Sequence, residues 1–89
     1  MNSTRIALVV LASTVAASVH AADLAAGQAK VAQQCAECHR PKDWNGETTA
    51  ALQSLIADIV AGKVRHPREL KLTPEEIANI AAYYTSKNK

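Results

Sequence analysis

The chain has 89 residues and a net charge of +2, with one tryptophan, two tyrosines and no phenylalanine. That length holds one domain at most, and so few aromatics leave a thin side-chain core. The near-balanced charge excludes the strongly basic footprint of a nucleic-acid-binding protein.

Residues 1–22 have the layout of a cleavable secretory signal peptide. Met1 to Arg5 carry a single side-chain charge, Arg5, and Ile6 to Ala17 form an apolar run. Ser18-Val19-His20-Ala21-Ala22 then supplies small residues, and cleavage is expected after Ala21 or Ala22. The competing reading is a membrane anchor, but the run is shorter than the ~20 residues a spanning helix needs. Cleavage leaves residues 23–89 as one domain and lowers the net charge from +2 to +1. It removes Met1, the chain's one methionine, and His20, so the histidines left are His39 and His66. A domain this small ordinarily needs a staple beyond its own side chains.

Asp23 can cap a first helix that runs to about Gln34. Gly27 inside it costs roughly 1 kcal/mol relative to alanine in an exposed helix. Either another helix approaches closely there, or the glycine is tolerated near a frayed end.

The helix leads into Cys35-Ala36-Glu37-Cys38-His39, which reads as a c-type haem attachment site. Each thiol adds across one vinyl group on a haem edge. A three-residue step on a helical turn puts both sulfurs on one side of the backbone. His39 then falls under the iron as proximal ligand. Two other readings fit less well. A zinc site needs four ligands, usually with a second Cys/His pair, and a thioredoxin-like redox pair would accompany a βαβ pattern. The sequence has neither. A covalent haem would supply the missing apolar volume, and the haem-free chain is expected to be largely unfolded.

Arg40 to Glu47 read as a loop, with Pro41 stopping the preceding helix and Asn45-Gly46 marking a turn. Trp44 within it either packs on the haem edge and donates its N–H to a propionate, or covers the small core with its N–H in water. Thr48 or Thr49 caps a second helix, whose apolar positions Leu52, Leu55, Ile56 and Ile59 follow the i, i+3, i+4, i+7 spacing of one helix face. Gly62 stands where a helix-terminating glycine belongs, and Gln53, Asp58 and Lys63 can face water.

Lys63 to Leu72 form a basic, irregular connection in which Pro67 biases His66 towards an extended backbone. Lys63, Arg65, Arg68 and Lys71 either steer an acidic partner or form an ordinary solvated loop. Thr73-Pro74-Glu75-Glu76 is a helix start with a capping box, and Ile77, Ile80, Ala81 and Tyr84 form the stripe of the last helix, with Tyr83 beside it. No strand-like alternation occurs in residues 23–89, so the expected fold class is all-α.

Taken together, the chain resembles a short bacterial class I cytochrome c, over nearly all of residues 23–89. Ala25-Ala26-Gly27-Gln28-Ala29-Lys30 resembles the family's first helix, and Cys35 to His39 match its attachment motif. Leu52 to His66-Pro67, with its Gly-Lys-x-Arg-His-Pro turn, and Leu72 to Tyr84 resemble its later helices. The resemblance implies a compact fold of three to four helices wrapped around one covalent haem. The first and last helices would cross at Gly27 and at Tyr83 or Tyr84. It also implies a periplasmic mono-haem carrier that passes single electrons between redox proteins and is not an enzyme.

One departure stands out. The family's sixth iron ligand is commonly a methionine between the middle and last helices, and Lys63 to Leu72 contain none. In one register of the resemblance the replacement is Glu69. Three readings of the sixth position compete: His66 gives a bis-histidine haem, the position is open or water-bound, or Lys63 or Lys71 binds as a neutral amine. Loss of the thioether predicts a lowered reduction potential. An open or displaceable sixth site would make the protein a binder or sensor of a small gaseous ligand instead. A homodimer could cover an exposed haem edge.

Overall fold

The computed structural model describes residues 22–88, so all of the expected signal segment but Ala22 lies outside the described residues. Those residues form three α-helices, α1 (Leu24–Gln34), α2 (Thr49–Val60) and α3 (Pro74–Ser86), and a 3₁₀ turn, Pro41–Trp44. No strand occurs among the described residues, and none of their helices is long and apolar enough to cross a membrane. The all-α class is as expected.

Each helix begins where its capping residue stands. The Asp23 carboxylate accepts the Ala26 N–H at 3.0 Å, and the Thr48 hydroxyl accepts the Ala51 N–H at 3.0 Å. At α3 the exchange is reciprocal. Thr73 Oγ1 accepts from Glu76 N at 3.1 Å, and Glu76 Oε1 accepts from Thr73 N at 2.9 Å. Pro74 takes the first helical position, where a missing N–H costs nothing. The Thr73 backbone N–H, helped by Lys30 at 3.1 Å, holds the Glu76 carboxyl below the usual range.

Helix α2 ends in a Schellman turn. Lys63 N donates to Asp58 O at 2.8 Å and Gly62 N to Ile59 O at 3.0 Å, with Gly62 at φ +81°. Arg40–Glu47 is more ordered than the expected loop. Pro41, whose φ suits a helical start, opens the 3₁₀ turn, and the Asp43 carboxylate caps it by accepting from Arg40 N at 2.9 Å.

The core is Val31 of α1, Leu52 and Ile56 of α2, and Ile77, Ile80, Ala81 and Tyr84 of α3. Helix α3 is central, because both other helices pack on it. Its polar side chains Asn79 and Thr85 are buried as well, and both are satisfied. Asn79 Oδ1 accepts from Asp23 N at 2.9 Å. Thr85 Oγ1 donates to Ala81 O at 2.8 Å, which leaves its lone pair to accept from Thr49 Oγ1 at 2.7 Å. The helical period alone does not mark these two positions as buried.

The crossing of α1 and α3 decides between the two readings of Gly27. A Cβ there would stand 2.2 Å from the Asn79 carbonyl oxygen and 3.0 Å from Tyr83 Cβ. The glycine is required by the approach of α3. Gly27→Ala must push the helices apart, and a clash with backbone falls at the upper end of the roughly 1–3 kcal/mol that overpacking costs. Gly62→Ala meets no atom within 4 Å. Its cost is the left-handed backbone alone, about 1–2 kcal/mol. Thermal unfolding of the two variants, followed by far-ultraviolet dichroism, should show the larger drop in Tm for Gly27→Ala; the reverse order contradicts this account of the crossing.

Candidate functional site

Val31 of α1 accepts the first two N–H groups beyond the helix, Cys35 and Ala36, each at 2.8 Å. The chain then closes another turn. Cys38 N and His39 N both donate to Cys35 O, at 3.1 and 2.9 Å. The sequence segment Cys35–His39 is therefore wound as a turn, which places Cys35 and Cys38 on one side of the backbone. Cys35 is half-buried and Cys38 exposed, and both are free thiols. Burial pushes the Cys35 thiol up, against the pull of Arg68.

The turn borders a narrow apolar cleft of about 40 Å³. Its walls include Cys35, His39, Trp44 and His66, with Leu52, Leu55, Ile56 and Ile59 of α2 opposite. The α2 stripe thus does two jobs. Leu52 and Ile56 are buried in the core, whereas Leu55 is 37% exposed and, with half-buried Ile59, lines the cleft. A second, wider hollow continues from the same Cys35, His39 and His66 past Cys38, Pro67 and Arg68.

The two imidazoles meet across this space. The ring centroids of His39 and His66 are 6.4 Å apart, with planes 27° from parallel. A metal takes an imidazole nitrogen at about 2 Å, so two such nitrogens on opposite sides of one ion hold their ring centres roughly 6 Å apart. Each ring also has its Nδ1 occupied. His66 Nδ1 lies 2.6 Å from Arg68 O and 3.3 Å from Arg68 N. It cannot donate to one and accept from the other in a single tautomer. The shorter contact decides, because a lone pair that close to a carbonyl oxygen would be repelled: Nδ1–H donates to Arg68 O, and Nε2 keeps its lone pair. His39 Nδ1 lies 3.4 Å from Asp43 Oδ2. The Arg40 backbone N–H, then His39, hold that carboxyl below the usual carboxylate range. A carboxylate or carbonyl behind a ligating imidazole is the usual way its tautomer and direction are set.

Trp44 packs against both sides of the site, with its ring centroid 5.1 Å from that of His39 and 6.0 Å from that of Tyr84. Its Nε1 is buried, and among the described residues it is the buried side-chain polar atom with no hydrogen-bond partner. The alternative of an N–H in water does not hold. Tyr84 Oη donates to His39 O at 3.4 Å, and burial pushes its phenol well above the ordinary value.

These residues fit a covalently held haem. The cysteines lie on one turn, the His39 and His66 ring centroids are 6.4 Å apart, the walls are aliphatic, and a buried N–H lacks an acceptor. Among the described residues no three His, Cys, Asp or Glu side chains converge to hold a bare ion. A porphyrin brings four nitrogens of its own, so two axial imidazoles suffice.

The other candidates for the sixth position stand elsewhere. Lys63, Lys71 and Glu69 are exposed and line neither part of the cleft. Of the expected docking cations, Arg68 is engaged by Glu37. Asp43 and Glu37 carry no expectation from sequence pattern, although the i, i+4 spacing of His39 and Asp43 is a usable signal for the first. Comparison with protein-family models, with curated proteins and with solved structures yields no match to this chain.

Proposed function

We propose that this chain is a periplasmic mono-haem c-type cytochrome that carries single electrons between redox proteins. Cys35 and Cys38 attach the haem, and His39 and His66 are its axial ligands. The observation that carries the reading is the His66 imidazole opposite His39, above the Cys35–Cys38 turn in an aliphatic cleft. The family resemblance of the sequence supports it independently.

Haem iron supplies one-electron cycling between ferric and ferrous states. The chain's residues set the conditions for it. Leu55, Ile56 and Ile59 would shield a bound haem from water. Asp43 beside His39 Nδ1 and the Arg68 carbonyl beside His66 Nδ1 would fix the tautomers of the two ligating rings. The Trp44 N–H needs an acceptor, and a haem propionate supplies one of the right charge. Imidazole in place of thioether favours the ferric state and lowers the reduction potential. The exposed cations Lys63, Arg65 and Lys71 lie on the connection that carries His66, where they can steer an acidic partner.

A second reading, a haem with a displaceable sixth ligand for a small gas molecule, draws on one observation. His66 is carried by an irregular segment rather than by a helix.

Near-infrared magnetic circular dichroism of the ferric protein should give a bis-imidazole signature. His66→Ala should convert it to a high-spin or water-ligated spectrum, and unchanged ferric and ferrous spectra would remove His66 as a ligand. A redox titration should place the potential below that of methionine-ligated relatives; a strongly positive value contradicts the assignment. Trp44→Phe should cost the haem-loaded protein roughly 1.5–3 kcal/mol, the worth of a hydrogen bond to a charged group, measured by denaturant unfolding. Electron transfer to an acidic partner protein should slow as ionic strength rises, and a rate independent of salt would count against steering by Lys63, Arg65 and Lys71.

A further inference from the structure

Arg68 ties the segment that carries His66 to the turn that carries His39, and within that segment it also holds the His66 ring. The Arg68 carbonyl oxygen takes the His66 Nδ1–H at 2.6 Å, and Arg68 Nη2 donates to Glu37 Oε1 at 2.5 Å. Glu37 sits between Cys35 and Cys38. The main-chain half of Arg68 therefore sets the tautomer and direction of the imidazole, while its side chain pins the segment to the attachment turn. Pro67, with its fixed φ, stands between His66 and Arg68 and leaves few torsions to uncouple them.

The rest of the connection offers less restraint. It is irregular from Lys63 to Leu72, and its other fixed points are the Gly62 turn and buried Leu70. Both members of the ion pair are solvent-exposed, with side-chain exposures of 47% for Arg68 and 73% for Glu37. A contact of this kind is weak and salt-sensitive, which suits a fastener that opens.

We infer that the Arg68–Glu37 ion pair is a latch that sets how long His66 stays opposite His39, so that a small neutral diatomic ligand gains the sixth position only when the latch opens. The inference rests on the bis-histidine reading. Arg68 and Glu37 are positioning residues: neither touches the ligand, and both act through the placement of His66. Opening exchanges one axial ligand for another and moves no electrons.

The test uses the haem-loaded ferrous protein mixed rapidly with carbon monoxide. In the wild type the binding rate should level off at high carbon monoxide, where departure of His66 limits it. Glu37→Gln and Arg68→Ala should each raise that plateau about two- to fivefold, the range an exposed ion pair supports. Added salt should raise the wild-type plateau by a similar factor and leave that of Glu37→Gln unmoved. Reversing the pair, with Glu37→Arg and Arg68→Glu together, should bring the plateau back towards the wild type. Plateaus in Glu37→Gln and Arg68→Ala equal to that of the wild type overturn the latch alone. A wild-type rate that grows in proportion to carbon monoxide throughout, with no plateau, overturns the bis-histidine reading and the latch with it.

Discussion

The crossing of α1 on α3 at Gly27 leaves no room for a side chain, and the site depends on it. Without a side chain at Gly27, the α1 backbone lies against the Asn79 carbonyl and Tyr83. The same pair of helices is joined by Asp23 N on Asn79 Oδ1 and by Lys30 on Glu76. With α1 fixed in this way, the turn that follows it has little choice of position. Cys35 to His39 emerge beside the C-terminal half of α3, where Tyr84 reaches the His39 carbonyl and Asn88 reaches that of Pro41. The proximal side of the proposed haem would therefore be set by long-range contacts, between residues 45 to 56 positions apart in sequence.

The distal side is built differently. Helix α2 packs on α3 through Leu52 and Ile56 and stops sharply at the Gly62 turn, after which the connection brings His66, Pro67, Arg68, Leu70 and Leu72 to the cleft and its hollow. From there to Thr73 the restraints are few: Leu70 in the core, Arg68 on Glu37, and the His66 ring on the Arg68 backbone. An imidazole held by a rigid helical turn thus faces one held by an irregular segment. Under the proposed ligation, the iron would have a permanent ligand and a conditional one. The difference follows from where the sequence spends its apolar residues, which lie mostly in the helices and only at Val64, Leu70 and Leu72 in the connection.

Much of this was legible before any coordinates. The caps Asp23 and Thr73, the Gly62 terminator and the α3 stripe are readable, because caps and the 3.6-residue period are local rules; for α2 the sequence leaves Thr48 and Thr49 open, and the structure selects Thr48. Pattern could not divide the α2 stripe between core and cleft, since both surfaces select the same aliphatic residues. Nor could it find the buried Asn79 and Thr85, whose polarity is satisfied by partners 56 and 36 residues away. The 3₁₀ turn at Pro41–Trp44 was read as a loop, because a proline after a helix signals a stop and says little about the turn that follows. Glu37 with Arg68 escaped for the same reason as Asn79: their contact spans 31 residues and obeys no period.

Trp44 brings these levels together. Its indole lies between His39 and Tyr84, so the proximal turn and α3 both press on it, and that pressing buries the N–H. An unsatisfied buried donor costs on the order of 1–3 kcal/mol, a large share of the stability available to so small a domain. Phenylalanine would fill much of the same space without that cost. Packing alone therefore does not account for an indole at this position, whereas an acceptor bound in the neighbouring cleft does. Under the proposed haem, the orphaned N–H would belong to the cofactor site, and the cofactor would supply the apolar volume that the thin core lacks.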